Sequence, residues 1–478
     1  MSTRRHRRDA RDRSTVRAIV AGALTLAAVI ALVFAFSGTG SGATPDSRAV
    51  ATPLWSVRRV PTPVVDAVGA QRLQAALDQT THSDSTCFVV REGDHTLAAH
   101  DPDAPLLGAS TQKILVAAAA LTALGPDSTF TTKVVAPAAP QNGSVDHLWL
   151  VGGGDPVLST ADYDAFLQGQ PRYHGDVTTS LESLADAIVA KGVHRIPGGI
   201  AGDDSRYDDQ RYAPSWKDSY RVDGEIGPMG ALTVDDGFSA WTAASRTSVA
   251  DPALYAAQRL TDLLEARGVS VGPASHATAP AGSVEVAQIQ SPALHAVVAS
   301  MLSSSDNLTS ELLTKELAVH AGTTPGTTAA GLTALLAQLQ RLGVDAALAP
   351  VHLVDGSGLS RDDRVTCNLL VGTLSLADQP AHSALFDGLP VAGRNGTLAG
   401  EFLGTPVAGV LHGKTGGLDG VAGLTGVVAA AGPTLRFAFL DNGNFSNDHG
   451  DTHYVPVGMA VTAYPNAPPV DALVPAPK

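Results

Sequence analysis

The spacing of apolar positions changes several times along the chain, and each change predicts a different element. From Val64 to Asp78 they recur at helical intervals. CFVVREGDHTLAAH then shows two short apolar runs on either side of Gly93-Asp94, which is a hairpin pattern. In PLLGASTQKILVAAAALTALG the positions after Lys113 are nearly all apolar, as far as Gly125-Pro126. This predicts a helix from about Ser110 to Leu124 that runs through a core. Between about 126 and 285, strand-like runs (VDHLWLVGG, GGIAGD) mix with helix-like ones (LESLADAIVAKG, ALYAAQRLTDLLEARG) and many turns, as an inserted α+β module would. Helical spacing resumes at Pro292 and continues to Gly343. Finally LHGKTGG, LTGVVAA and LRFAFLDNG form three strand-like runs, expected to make an antiparallel meander.

The first residues follow another pattern. Residues 1–17 carry seven Arg and two Asp, and Ala18–Phe36 carries no charge. Nineteen residues at about 1.5 Å each span roughly 28 Å, enough to cross a bilayer core. The Arg cluster assigns the N-terminal side to the cytoplasm. The length of the segment fits a retained anchor, and the small residues of SGTGSGAT allow a cleaved signal. The expected organisation is therefore a basic tail (1–17), a membrane or signal segment (18–36), a Gly/Ser/Thr/Pro linker (37–62), a main domain split into 63–125 and 286–470, and an insertion at 126–285. The body would lie on the outer face of the membrane, or be secreted if the segment is removed.

Composition narrows the function. The net charge is −14, which disfavours nonspecific nucleic-acid binding. The fifteen His show no HExxH-like spacing, so no metal is expected, nor any other cofactor. GGGD (152–155) lacks the Gly-Lys-Ser/Thr ending of a phosphate loop and reads as a turn. The two cysteines, Cys87 and Cys367, permit one disulfide in an exported chain; two buried thiols are the alternative.

Three short motifs could carry chemistry. Ser110 and Lys113 are three apart, on one face of a helix. A Ser hydroxyl attacks only when a neighbour accepts its proton, and a Lys with a lowered pKa can do so. No other Lys in the chain has a Ser three residues before it. Ser305-Asp306-Asn307 lies inside SMLSSSDNLTSELLTKEL, where residues two apart in a loop between helices can point the same way; by itself it would read as a helix cap. Lys414-Thr415-Gly416, followed by Gly417, suits an edge strand against which a substrate backbone could lie. By itself it would read as a glycine-rich hairpin.

In this order, Ser-x-x-Lys, Ser-Asp-Asn and Lys-Thr-Gly form the signature of serine β-lactamases and penicillin-binding proteins. The chain resembles the D-alanyl-D-alanine carboxypeptidases of the penicillin-binding protein 4 type, peptidase family S13, particularly actinobacterial ones. Over roughly residues 55–465 the resemblance also rests on LWLVGGGDPVLS, DDSRYDDQRYAPSW, DGSGLSRDDRV and LPVAGRNGTL. It implies an α/β penicillin-binding, serine β-lactamase-like transpeptidase fold, an antiparallel sheet flanked by helices with an insertion between the first two motifs. It also implies an acyl-enzyme on Ser110 with Lys113 as its base. Ser305 would relay a proton and Asn307 hold a substrate amide. Lys414, Thr415 and Gly416 would grip a carboxylate, and the N–H groups of Ser110 and Gly417 would form the oxyanion hole. Gly417 departs from the Thr usual at that place. Asp204 and Arg361 match positions that hold a diaminopimelate end, with ordinary surface pairing as the alternative. The implied partners are peptidoglycan peptides ending in D-Ala-D-Ala, with cross-links as a related endopeptidase target, and β-lactams as inhibitors. Two rivals are a class A β-lactamase, for which no Glu-x-x-Leu-Asn is found, and a non-catalytic wall-binding protein of this fold.

Overall fold

In a computed structural model of the protein, the first helical spacing becomes α1 (Thr62–Asp78) and the first alternating runs become the hairpin β1 (Thr86–Glu92) and β2 (His95–His100). The structure describes residues 62–80, 83, 85–344, 350–429, 434–447 and 451–465. The expected tail, the apolar segment 18–36 and nearly all of the linker lie outside them. Among the described residues no helix is long and apolar enough to cross a membrane.

After the hairpin, a 3-10 turn (Ala109–Gln112) leads into α2 (Lys113–Leu124). The inserted region follows with β3 (Thr131–Ala136), β4 (Leu148–Val151), α3 (Leu181–Ala190), β5 (Ile200–Asp203), α4 (Pro252–Glu265), β6 (Ser275–His276) and β7 (Val284–Gln290). The chain then forms α5 (Leu294–Ser304), α6 (Asn307–His320), α7 (Thr328–Arg341), α8 (Cys367–Leu374), β8 (Leu411–Leu418), β9 (Val421–Val428), β10 (Leu435–Asn442) and α9 (Asp451–Thr462).

Strands from both ends of the chain build one antiparallel sheet in the order β8-β9-β10-β1-β2. It is apolar on both faces, and its strands show why. Along β10, Leu435, Phe437 and Phe439 pack with α1 and α9, while Ala438 and Leu440 pack toward α2 and α5 to α8. A strand covered on both sides can be apolar throughout, and every residue of β9 is buried. Helix α2 passes through the middle of the larger helical layer, so Ile114 to Leu121 are all buried, as the unbroken apolar run requires. The inserted region has its own mixed sheet, ordered β6-β5-β4-β3-β7, and its own core beneath α3 and α4.

Three local readings change. The segment bearing Ser110 is a tight 3-10 turn, and the regular helix begins only at Lys113. The loop expected between helices at Ser305–Asn307 is only two residues long: Ser305 adopts a left-handed φ of 62° that ends α5, and the Asp306 side chain restarts the chain as α6 by capping Thr309 N. Strand β7 pairs with β3 through Gln290, so the second sheet runs past the boundary expected at 285.

Cys87 on β1 and Cys367 at the start of α8 are joined in a disulfide, with Cα atoms 6.2 Å apart and a sequence separation of 280. It ties the sheet to the helical layer across a long loop. Replacing both cysteines with serine should lower stability by about 2–5 kcal/mol. Chemical denaturation of the oxidised, reduced and substituted proteins checks this, the last two being expected to coincide.

Candidate active site

The three motifs, scattered along the chain from Ser110 to Gly416, converge on one cleft of about 620 Å³. Ser110, Ser305, Asn307, Thr415, Gly416 and Gly417 all line it. Lys113 lies under its floor. A further hollow of about 680 Å³, between the inserted region and α6, is lined by none of them.

The position of Ser110 begins with strain. Ala109 has φ 45°, a left-handed value that costs an L-residue roughly 1–2 kcal/mol. Two close approaches hold it there. A Cβ on Gly358 would lie 2.0 Å from Ala109 O, and a Cβ on Gly416 would lie 2.4 Å from Gly108 O. The turn bearing Ser110 is therefore gripped between a loop and the edge strand β8, at distances that only glycine allows.

Beneath it, Lys113 Nζ makes three hydrogen bonds: to Ser110 Oγ at 2.9 Å, Asn307 Oδ1 at 2.7 Å and Ser357 O at 2.7 Å. Burial pushes the ammonium down to about 8, against the opposing pull of Asp306, Asp355 and Glu311. An ammonium has a proton for each of the three acceptors. A neutral amine keeps two N–H bonds for Asn307 and Ser357, and its lone pair then faces the Ser110 hydroxyl. Removal of one proton thus turns Lys113 from a donor to Ser110 into an acceptor from it.

Ser357 belongs to the DGSG loop, which is heavily braced. Glu311 on α6 accepts from Gly356 N (3.0 Å) and Ser357 N (2.7 Å), and Ser310 donates to Gly356 O. Asp355 accepts from Gly358 N, Ser360 N and Trp216 Nε1, and Gln112 donates to its carbonyl. Burial first, then the Asp355 carboxylate, push Glu311 up to about 8 and Asp363 up to about 10. Asp363 thus stays protonated beside Asp355 at neutral pH, which spares the interior a second charge at that point.

The inserted region reaches this site. Asn307 Nδ2 donates to Glu225 O at 2.8 Å, which orients the amide so that its oxygen meets Lys113. Arg172 Nε donates to Ser304 O at 2.7 Å, placing a cation at the C-terminal end of α5, where the helix dipole favours it. Arg172 also lines the cleft.

On β8 the outer edge is divided. Val391 and its neighbours pair with the Leu411–Gly413 half: Ala392 N donates to Leu411 O and Gly413 N to Pro390 O. The half from Thr415 to Leu418 borders the cleft instead. Lys414 is fully buried, and its Nζ donates to Thr415 O at 2.9 Å. Burial, then the positive charges of Lys113 and Arg172, hold it well below its usual range. Thr415 Oγ1 donates to Thr397 Oγ1 at 2.9 Å.

Two expected residues are placed elsewhere. Asp204 is buried and committed to Arg211 (2.7 Å) and His276 (3.0 Å), away from the residues lining the cleft. Arg361 stands at the rim, donating to Asp419 O at 2.8 Å. Sequence reading missed Ser357, Glu311, Glu225 and Arg172. Of these only Ser357 carried a signal, the conspicuous Gly-rich DGSG.

The bracing of the DGSG loop has a measurable consequence. Gly358→Ala adds a Cβ in a left-handed position (φ 83°) against Ala109 O, and should destabilise the protein by roughly 1–3 kcal/mol. Thermal denaturation beside an exposed control such as Gly268→Ala, where a left-handed glycine meets no neighbour, separates the collision from backbone strain.

Residues 70–247 and 239–463 match the D-Ala-D-Ala carboxypeptidase 3 (S13) family. A carboxypeptidase of Mycobacterium tuberculosis is 36% identical over 349 residues, covering 71% of this chain and 72% of the relative. The D-alanyl-D-alanine carboxypeptidase of an Actinomadura species is 29% identical over 426 residues, covering 73% and 75%. Among solved structures, penicillin-binding protein 4 of Haemophilus influenzae superposes with a TM-score of 0.68 at 20% identity, over 81% of this chain and 98% of its own. Its fold is the penicillin-binding fold, an antiparallel sheet flanked by helices.

Proposed function

The chain belongs to the D-Ala-D-Ala carboxypeptidase 3 (S13) family and is a serine-type carboxypeptidase, and from that premise we propose that Ser110 is the residue it acylates. The observation that carries the assignment is Lys113 Nζ, 2.9 Å from Ser110 Oγ and tied on its other sides to Asn307 and Ser357. A peptidoglycan stem peptide ending in D-Ala-D-Ala lies along the Thr415–Leu418 edge of β8. Neutral Lys113 takes the Ser110 proton as Oγ attacks the carbonyl carbon between the two D-alanines. The N–H groups of Ser110 and Gly417 receive the oxyanion. As the C–N bond breaks, the proton passes to the leaving amine of D-Ala, with Ser305 as the relay. Water then hydrolyses the ester, and Lys113 accepts and returns the proton of that step.

Asn307 serves twice, fixing Lys113 through its oxygen and standing beside the substrate amide. Lys414 lies too deep to touch a carboxylate in this arrangement, so its part is to brace the Thr415 carbonyl from beneath the strand. A β-lactam presents a carbonyl to the same Ser. Its amine stays tethered after ring opening and blocks the water, so the acyl-enzyme persists.

Residues 18–36, outside the described residues, are read as the membrane or signal segment that delivers the body to the outer face. The seven Arg before them and the Cys87–Cys367 disulfide, at home in an oxidising compartment, support this reading.

Fluorescent penicillin should label the protein once, and Ser110→Ala should abolish the label; equal labelling of both proteins overturns the nucleophile. The acylation rate should rise with pH. Lys113 titrates near 8, so roughly a tenth of it is neutral at pH 7 and most of it at pH 9. A rate that falls across that range contradicts Lys113 as the base.

A further inference from the structure

The edge strand that would hold the substrate lacks free donors on its side chains. Thr415 gives its hydroxyl proton to Thr397, Lys414 turns its ammonium to Thr415 O, and Gly416 and Gly417 have no side chains. Yet a carboxypeptidase substrate ends in a carboxylate, which needs donors. The acidic groups lining the same cleft, among them Asp223, Glu401 and Asp451, repel it, while of its cations Lys217 is engaged by Asp419 at 3.4 Å and Arg172 gives its Nε–H to Ser304 O at 2.7 Å.

One side chain from outside the three motifs fills the gap. A Cβ built on Gly417 would come within 2.6 Å of Asn447 Oδ1, so the Asn447 amide occupies the space that a side chain at 417 would take. Asn447 lines the cleft beside Gly416 and Gly417. The segment leading to it is anchored on both sides. Gly420 N donates to Phe445 O at 2.6 Å and Gly443 N to Gly420 O at 2.9 Å. The Phe445 ring stacks on His453 with centroids 3.8 Å apart, and His453 in turn bonds Asp441 at 2.6 Å. The backbone N–H of Asn447 points to Asp419 Oδ1 at 3.4 Å. An amide has two N–H donors and one acceptor, and a half-turn about its last bond exchanges them, so Asn447 can present a donor to the cleft.

We propose that Asn447 is a substrate-binding residue, which lends the glycine-only stretch of β8 a side-chain donor and hydrogen-bonds the C-terminal carboxylate of the peptide. The proposal rests on the carboxypeptidase reading of the cleft. It also accounts for the bareness of position 417: the group absent from the strand is supplied by the loop after β10, and the two positions exclude each other sterically.

The test uses peptide hydrolysis by the full chain, with a D-Ala-D-Ala-ended tripeptide as the probe. Asn447→Ala should lower kcat/KM roughly ten-fold or more, the worth of a hydrogen bond to a charged group. The loss should lie mainly in KM, with the melting temperature unchanged. Asn447→Asp, which sets a negative charge beside the carboxylate, should lose more. Gly417→Thr should lose activity through collision with Asn447, and Gly417→Thr combined with Asn447→Gly should recover much of it, because the hydroxyl then supplies the donor from the strand. Unchanged hydrolysis in Asn447→Ala, equal losses in the Ala and Asp variants, or no recovery in the double variant would each overturn the proposal while the unsubstituted chain still cleaves. No cleavage by the unsubstituted chain would overturn the parent reading, and this one with it.

Discussion

Taking a lysine ammonium out of water into a protein interior costs several kcal/mol even after relaxation, and the structure around Ser110 is organised about that cost. Lys113 opens a helix whose next eight residues are all buried. Its head therefore ends beneath the cleft, with no route for its side chain to reach bulk solvent. Three fixed acceptors and three nearby carboxyl groups make the charged form tolerable, and desolvation makes the neutral form accessible near pH 8. More negative charge would lock the proton on; fewer acceptors would leave a buried polar group unpaired. The DGSG loop, the cap at Asp306 and the apolar helix read as parts of one balance.

That balance explains why the surroundings are so rigid. The Ser357 carbonyl is useful only at hydrogen-bond distance from Nζ, and its loop is fastened by Glu311, Ser310, Gln112 and Trp216. These fasteners come from three places: α6 supplies Glu311 and Ser310, the turn bearing Ser110 supplies Gln112, and the inserted region supplies Trp216. The insertion is thus not an appendage, since its backbone at Glu225 sets the face that Asn307 turns to Lys113.

Much of this was legible in the chain. The apolar run after Lys113, the Gly93-Asp94 turn and the closing meander follow from periodicity alone, because each element buries a face and the face leaves its period in the sequence. The order of the three motifs carried the family. What did not show was everything that depends on backbone groups or on distance in space. Glu225 contributes a carbonyl, which any residue has. Asn447 gains meaning only because β8 passes in front of it. Asp204 looked like a cleft residue from the letters around it, but Arg211 and His276 claim its carboxylate, and charge pairing of that kind has no fixed sequence spacing. The 3-10 turn at Ala109–Gln112 was likewise hidden, since its strain is imposed by Gly358 and Gly416 from distant parts of the chain.

The disulfide has a topological meaning besides its energetic one. Cys87 and Cys367 enclose Ser110, Lys113, the Ser305–Asn307 segment, the DGSG loop and the whole inserted region, and leave β8 outside. A single cut by a protease at any peptide bond within that ring opens a circle without releasing a fragment. The part of the cleft that lies between Cys87 and Cys367 is therefore the part that survives a nick in one covalent piece.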